Sequence, residues 1–279
     1  MGAHPVRLLP RLLSGSLPMT SAQSLDPVKE CAGAPPLLRA RGVVKSFGGI
    51  HAVRGIDFDV AAGEIVGLVG PNGSGKSTLL GCLSRDIPMD SGSIWFNGSD
   101  ISGLRAMRAA RQGMGRTFQS VRIFPELSVW ENALMGRQWK DVALRDMLHP
   151  PDTATRQRAS ELIELMGIPQ LRHEYAGNLS GGQKRLLELV MAMMSSPRLV
   201  MLDEATSGVN PTLIETLKQY VQVLNRDEGV AFIVVEHNIG FVFSIADRIV
   251  VLDGGKILAA DSPEGIRQNQ EVIVAYLGA

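Results

Sequence analysis

A chain of 279 residues, 45% hydrophobic and 20% charged, is long enough for one large domain or two small ones with a real core. Twenty-eight basic residues balance 28 acidic ones, which excludes a global field drawing the chain to nucleic acid or to an anionic membrane surface. No run approaches the roughly 18 consecutive apolar residues of a membrane-crossing helix, and Cys31 and Cys82 stand in contexts too unlike for a disulfide framework, as in a reducing compartment.

Residues 1–36 carry no acid before Asp26 and are interrupted by Pro10, so they read as a disordered tail, with Met19 as an alternative start. The single folded domain is expected over 37–279. "RARGVVKSF" and "HAVRGIDFDV" alternate as two strands about Gly48-Gly49, and "EIVGLVG" is apolar throughout, like a strand buried on both faces. "STLLGCLSR" follows with helical spacing, then "GSIWFNGSD" returns to a short strand with an Asn-Gly turn. From about 100 to 180 the pattern is helical: "LRAMRAARQ", "SVWENALMG" and "TRQRASELIELMG" form an insert whose connectors contain prolines. Beyond it come a helix over about 181–195, the strand "RLVMLDE", a helix from Pro211, the strand "AFIVVEH", and the hairpin "RIVVLDGGKILAA". Strands alternating with helices predict an α/β fold with a mainly parallel sheet, an N-terminal antiparallel β subdomain and an inserted helical subdomain.

Between the buried strand and its helix lies "GPNGSGKST", the pattern G-x-x-x-x-G-K-[ST] from Gly70 through Pro71, Asn72, Gly73, Ser74, Gly75, Lys76 and Ser77 to Thr78. A turn needs one residue at positive φ and has no use for a lysine and two hydroxyls in that order, whereas a phosphate does. Backbone N–H groups at a helix start carry partial positive charge, and bare glycines let phosphate oxygens approach them. Lys76 is expected to reach the β- and γ-phosphates, Ser77 to ligate Mg²⁺ and Thr78 to donate to the α-phosphate. The strand "LVMLDE" ends in Asp203, placed to hold the Mg²⁺ shell, and Glu204, placed as general base for an attacking water. The competing role for Glu204 is to cap the next helix.

Many phosphate-loop ATPases share those features; "NLSGGQKRL" separates them. Read alone, Ser180-Gly181-Gly182 only opens a helix. Read with the phosphate loop, Leu179 to Gln183 resembles the signature of the ATP-binding cassette family, over residues about 37–279. The resemblance implies a phosphate-loop nucleoside triphosphatase fold with ATP and Mg²⁺ as cofactors. It implies that Gln119 in "RTFQ" contacts Mg²⁺ and water, that His237 contacts the γ-phosphate, and that Phe47 stacks on adenine. Ser180, Gly181, Gly182 and Gln183 would cover the ATP of a second cassette, so the chain would work as a homodimer or as a heterodimer with a related cassette. Three departures stand out: Ala205 replaces a commoner proline, and Asn210 and Asn238 replace aspartates.

A cassette without membrane helices resembles the separate ATPase subunit of a transporter, peripheral on the cytoplasmic face of the inner membrane. "GRTFQSVRIFPELSVWENALMG" and the ending "SPEGIRQNQEVIVAYLG" look most like the branched-chain amino acid and amide uptake group. That group implies integral membrane permease subunits and a solute-binding protein as partners, with no nucleic acid. Phe124, Pro125 and Leu127 are expected to form a groove for a short cytoplasmic helix of the permease. The lipopolysaccharide-export cassette is the nearest transport alternative; a cassette acting on DNA or ribosomes would need coiled-coil insertions or basic faces that are absent here.

Overall fold

The computed structural model describes residues 35–117, 122–137, 151–206 and 210–277. β1 (Leu38–Phe47) and β2 (Ile50–Val60) form the expected antiparallel hairpin, turning on Gly48 and Gly49 at positive φ. β4 (Ser91–Phe96) pairs with β1 and is joined to β5 (Ser99–Asp100) through Asn97 and Gly98, both at positive φ, as a tight hairpin turn requires. This sheet has the order β2-β1-β4-β5.

A second, six-stranded sheet has the order β10-β9-β3-β8-β7-β6. It comprises β3 (Ile65–Val69), β6 (Met114–Arg116), β7 (Leu199–Asp203), β8 (Ala231–Val235), β9 (Arg248–Asp253) and β10 (Lys256–Asp261). The first five run parallel, and β10 folds back antiparallel on β9. Every residue of β3, β7 and β8 is buried, because both faces of the sheet are covered. The alternation of side chains sorts them into two cores. Ile65, Val69, Val200, Leu202, Phe232 and Val234 face one; Val66, Leu68, Leu199, Met201, Ala231 and Ile233 face the other.

The first core takes α3 (Val129–Met135), α4 (Thr153–Leu165), α5 (Gly181–Met193), α6 (Pro211–Glu228) and α7 (Ile239–Ile245). The second takes α1 (Lys76–Leu83) and the antiparallel sheet, with α2 (Ala106–Ala110) at its margin through Ala109. Burial of a side chain such as Phe232 or Leu68 contributes about 1.5–3 kcal/mol. α8 (Pro263–Gln268) and α9 (Gln270–Leu277) close the described chain. None of the described helices is long and apolar enough to cross a membrane.

One boundary differs from the sequence expectation. Met114–Arg116, inside the stretch read as helical insert, is instead a strand of the parallel sheet, paired with β7. Three residues are too few to display an alternating pattern. Gly115 at its centre lies against Val200 and the Ala192 carbonyl, where an added Cβ would be crowded. α7 was also unforeseen: "IGFVFSI" is rich in β-branched and aromatic residues, and it holds as a helix by burying Phe241, Val242 and Ile245. Cys82 is buried and free, with its thiol pushed up to about 11 by burial; Cys31 lies outside the described residues.

Candidate nucleotide site

The loop from β3 to α1 is shaped by glycines in three different ways. Gly70 and Gly75 have left-handed backbone, and a side chain at either would strike a carbonyl oxygen, of Leu252 and Ala52 respectively. Gly73 also has positive φ, yet the space around it is open, so it presents bare backbone outward. Side chains of Ser128, Asp152, Ser180, Asn210, Asn238 and Ser262 cap α3, α4, α5, α6, α7 and α8. α1 starts at Gly75 with no side-chain cap, which leaves its first-turn N–H groups for a ligand. Lys76 is buried and donates to the carbonyls of Gly70 at 2.8 Å and Pro71 at 2.9 Å. Burial pushes its pKa down, opposed by Glu204 and Asp203. Pro71 and Thr78 are half-buried, and Asn72 and Ser77 exposed. The Ser74 hydroxyl is buried without a protein partner.

At the adjacent strand ends, Asp203 closes β7; its amide donates to the Thr117 hydroxyl oxygen, and its Oδ2 accepts from Arg116, 3.1 Å away. Arg116 also donates to Ser84 and Asp86 just beyond α1, so one guanidinium ties the ends of α1, β6 and β7 together. Burial raises the Asp203 pKa, and Arg116 pulls it back. Asp203 Oδ1 is buried and has no protein partner. An orphaned carboxylate oxygen of this kind, beside a loop with a free serine hydroxyl, fits a hard cation such as Mg²⁺.

Glu204 follows at φ 51°, a left-handed conformation uncommon outside glycine and asparagine. Its amide donates to the Val235 carbonyl, and its Oε1 lies 2.9 Å from His237 Nε2. Helix capping is not its role: Asn210 caps α6, accepting from the Leu213 amide at 2.8 Å. Asn238 likewise caps α7. Asparagine caps helices about as well as aspartate, so both departures keep a structural job that aspartate would also do. Sequence reading passed over Glu236, which is buried and binds Thr206 twice, and Arg116; neither belongs to a spacing pattern.

Lys76, Asp203, Glu204 and His237 thus converge at the C-terminal ends of parallel strands, the usual ligand edge of such a sheet. Phe47, Ser180 and Gln183 make their contacts elsewhere. Phe47 is 48% exposed at the β1–β2 turn, with Lys45 Nζ 5.2 Å from its ring centre. Ser180 accepts from the Gln183 amide while Gln183 Oε1 accepts from the Ser180 amide, a reciprocal cap that still leaves the serine O–H to donate. Gly181 faces open space, whereas a side chain at Gly182 would run into Leu213. The two signature glycines therefore do different work: Gly181 keeps a surface bare, and Gly182 admits α6. Gln119 lies outside the described residues.

After Gln119, Phe124 and Pro125 are exposed and Leu127 half-buried, so the apolar patch is on the surface rather than in the core. Asn132, fully buried on α3, organises it. Its Oδ1 accepts from the Phe124 amide at 2.8 Å, and its Nδ2 faces the carbonyls of Phe124, Leu127 and Ser128 at 2.9, 3.2 and 3.0 Å. Amides of Ala176 and Gly177, just before the signature, donate to Leu127 and Pro125.

Residues 53–207 match the family described as ABC transporter. The chain is 37% identical over 250 residues to the high-affinity branched-chain amino acid transport ATP-binding protein BraF of Pseudomonas aeruginosa, covering 87% of this chain and 98% of that protein. It is 33% identical over 244 residues to the lipopolysaccharide export system ATP-binding protein LptB of Escherichia coli, covering 86% and 97%. Among solved structures, a nucleotide-free ATP-binding cassette from an ABC transporter superposes with a TM-score of 0.78 at 30% identity, covering 88% of this chain and 100% of that one.

Proposed function

The chain belongs to the ABC transporter family as an ATP-binding, ATP-hydrolysing cassette, and on that premise we propose that it powers uptake of branched-chain amino acids or related small solutes. The observation that carries the catalytic part is the meeting of Lys76, Asp203, Glu204 and His237 at one sheet edge. In this reading Lys76 and the uncapped start of α1 bind the β- and γ-phosphates, and Gly73 and Gly75 supply bare amides. Asp203 and Ser77, with Gln119, would hold Mg²⁺, which neutralises charge on the phosphate oxygens when bound. Glu204 takes the proton of the attacking water, and His237 fixes the Glu204 carboxylate while facing the γ-phosphate. Phe47 offers its exposed ring to adenine.

Ser180, with its spare O–H, and Gly181 act on ATP held by a second cassette, so the working unit is a homodimer or heterodimer on permease subunits at the cytoplasmic face of the membrane. A solute-binding protein completes an uptake system. The branched-chain assignment is supported by coverage of almost the full length of BraF at higher identity than LptB. The test is co-purification from gently solubilised membranes with identification of the bound permeases. Amino-acid permeases with solute uptake driven by ATP are expected; lipopolysaccharide-export partners would overturn the uptake reading.

A further inference from the structure

The strands β7 and β8 end side by side, and beyond their ladder the chain is stitched together by side chains. Asp203 pairs with Val235 as the last ladder position. Next, the Glu204 amide donates to the Val235 carbonyl at 2.8 Å. Then the Thr206 amide donates to Glu236 Oε1 and the Thr206 hydroxyl to Glu236 Oε2, both at 2.6 Å. Finally His237 Nε2 meets Glu204 Oε1. Residues 204–206 and 235–237 are thereby locked to each other one after another, with Glu236 in the middle.

Glu236 is 3% exposed and Thr206 7%, so this carboxylate clamp is made out of water. Two short bonds to a charged acceptor are strong, but burying the carboxylate is costly, and an apolar pair would fill the same space more cheaply. The backbone it restrains explains why a carboxylate sits there. Glu204 is held at φ 51°, and such a conformation in a non-glycine residue persists only where its surroundings over-determine it. Its own amide bond fixes one side; the doubly bonded Thr206, two residues on, fixes the other.

Given the ATPase activity proposed above, we propose that Glu236 is a positioning residue: by gripping Thr206 it holds Glu204 in its left-handed conformation, aimed at His237. It touches no substrate. Its loss lets the Glu204 backbone relax, which displaces the general base without disturbing the phosphate loop.

The test uses the full chain with Glu236→Ala, Glu236→Gln, Thr206→Val and the Ala/Val double variant, measuring kcat and KM for ATP with Mg²⁺, binding of a fluorescent ATP analogue, and melting. Glu236→Ala and Thr206→Val are each expected to lower kcat about tenfold or more, as a misplaced catalytic group does. KM and analogue affinity should stay within about twofold, since the binding loop is separate. The double variant should be no slower than Glu236→Ala, because the hydroxyl bond that Thr206→Val removes is already gone once Glu236 is lost. Glu236→Gln should recover part of kcat, its amide oxygen still accepting from the Thr206 amide. Losses that multiply in the double variant, or a KM rising in step with the loss of kcat, overturn the proposal. If Glu236→Ala fails to fold, Thr206→Val decides: wild-type kcat in that variant also overturns it. An inactive wild-type chain would overturn the ATPase reading and this inference together, whereas an active wild type matched by its variants overturns this inference alone.

Discussion

Replacing Asn132 by alanine removes the hub beneath the Phe124–Leu127 patch that the sequence leads us to expect at the permease. The side chain accepts one hydrogen bond and offers two N–H groups, which serve three backbone carbonyls, so one N–H is shared. At a net value near 1 kcal/mol for each hydrogen involved, three hydrogens give a loss of about 3 kcal/mol, or roughly 6–12 °C in melting temperature for a domain of this size. Asn132→Asp keeps the acceptor but turns the donors into a second acceptor, aimed at three carbonyls inside the protein. Its pKa would be raised, so the damage should exceed that of alanine at neutral pH and shrink as pH falls and the acid regains a proton to donate. The assay is thermal and urea denaturation of the three proteins over a pH series, with permease pull-down and basal ATPase activity on the same samples. Pull-down should weaken while basal turnover stays within about twofold, because the site at the strand ends is untouched. A loss under about 1 kcal/mol for alanine, or an aspartate variant more stable than the alanine one at pH 7, refutes the hub.

Glu204→Gln should abolish turnover and keep ATP binding, so that an ATP-bound dimer accumulates in size-exclusion chromatography; steady hydrolysis by that protein removes Glu204 from the role of base. Phe124→Asp should weaken permease pull-down with melting nearly unchanged, since Phe124 is exposed, and a large melting loss would return it to the core. Mixing Lys76→Ala with Gly181→Asp subunits should restore partial hydrolysis, because one composite site then carries both lesions and the other neither; mixed dimers without activity count against shared sites. Gly182→Ala should destabilise through Leu213, and Leu213→Ala should rescue it, as measured by melting. Burial raises the Glu236 pKa, so wild type loses stability as pH rises from the unfolded value near 4.3 through the folded one. Glu236→Gln lacks that loss, and its melting temperature relative to wild type should climb over this window; a constant difference contradicts it.

The parts of the molecule visible in sequence were those with a local period or a fixed spacing. "EIVGLVG" is buried on both faces and reads so, the hairpins turn where glycines permit positive φ, and Gly70 to Thr78 joins strand to helix. Contacts between segments far apart in the chain left no such trace. Arg116 meets Asp203 across 87 positions, and Thr206 meets Glu236 across 30. Gly182 resembles Gly181 in every sequence respect, yet only the approach of α6 tells them apart. β6 was lost for a different reason, since an edge strand of three residues gives no pattern to count.

Lys76 bonded to the carbonyls of its own loop has a consequence for which nucleotides the chain would favour. The ammonium is not waiting in water; any ligand that recruits it must replace two hydrogen bonds already made. A triphosphate or diphosphate, with anionic oxygens past the first phosphate, returns more than it takes away. A monophosphate has nothing to place there, and the lysine stays where it is. Discrimination against the shorter nucleotide would then be set by the folded loop itself, before any second cassette arrives.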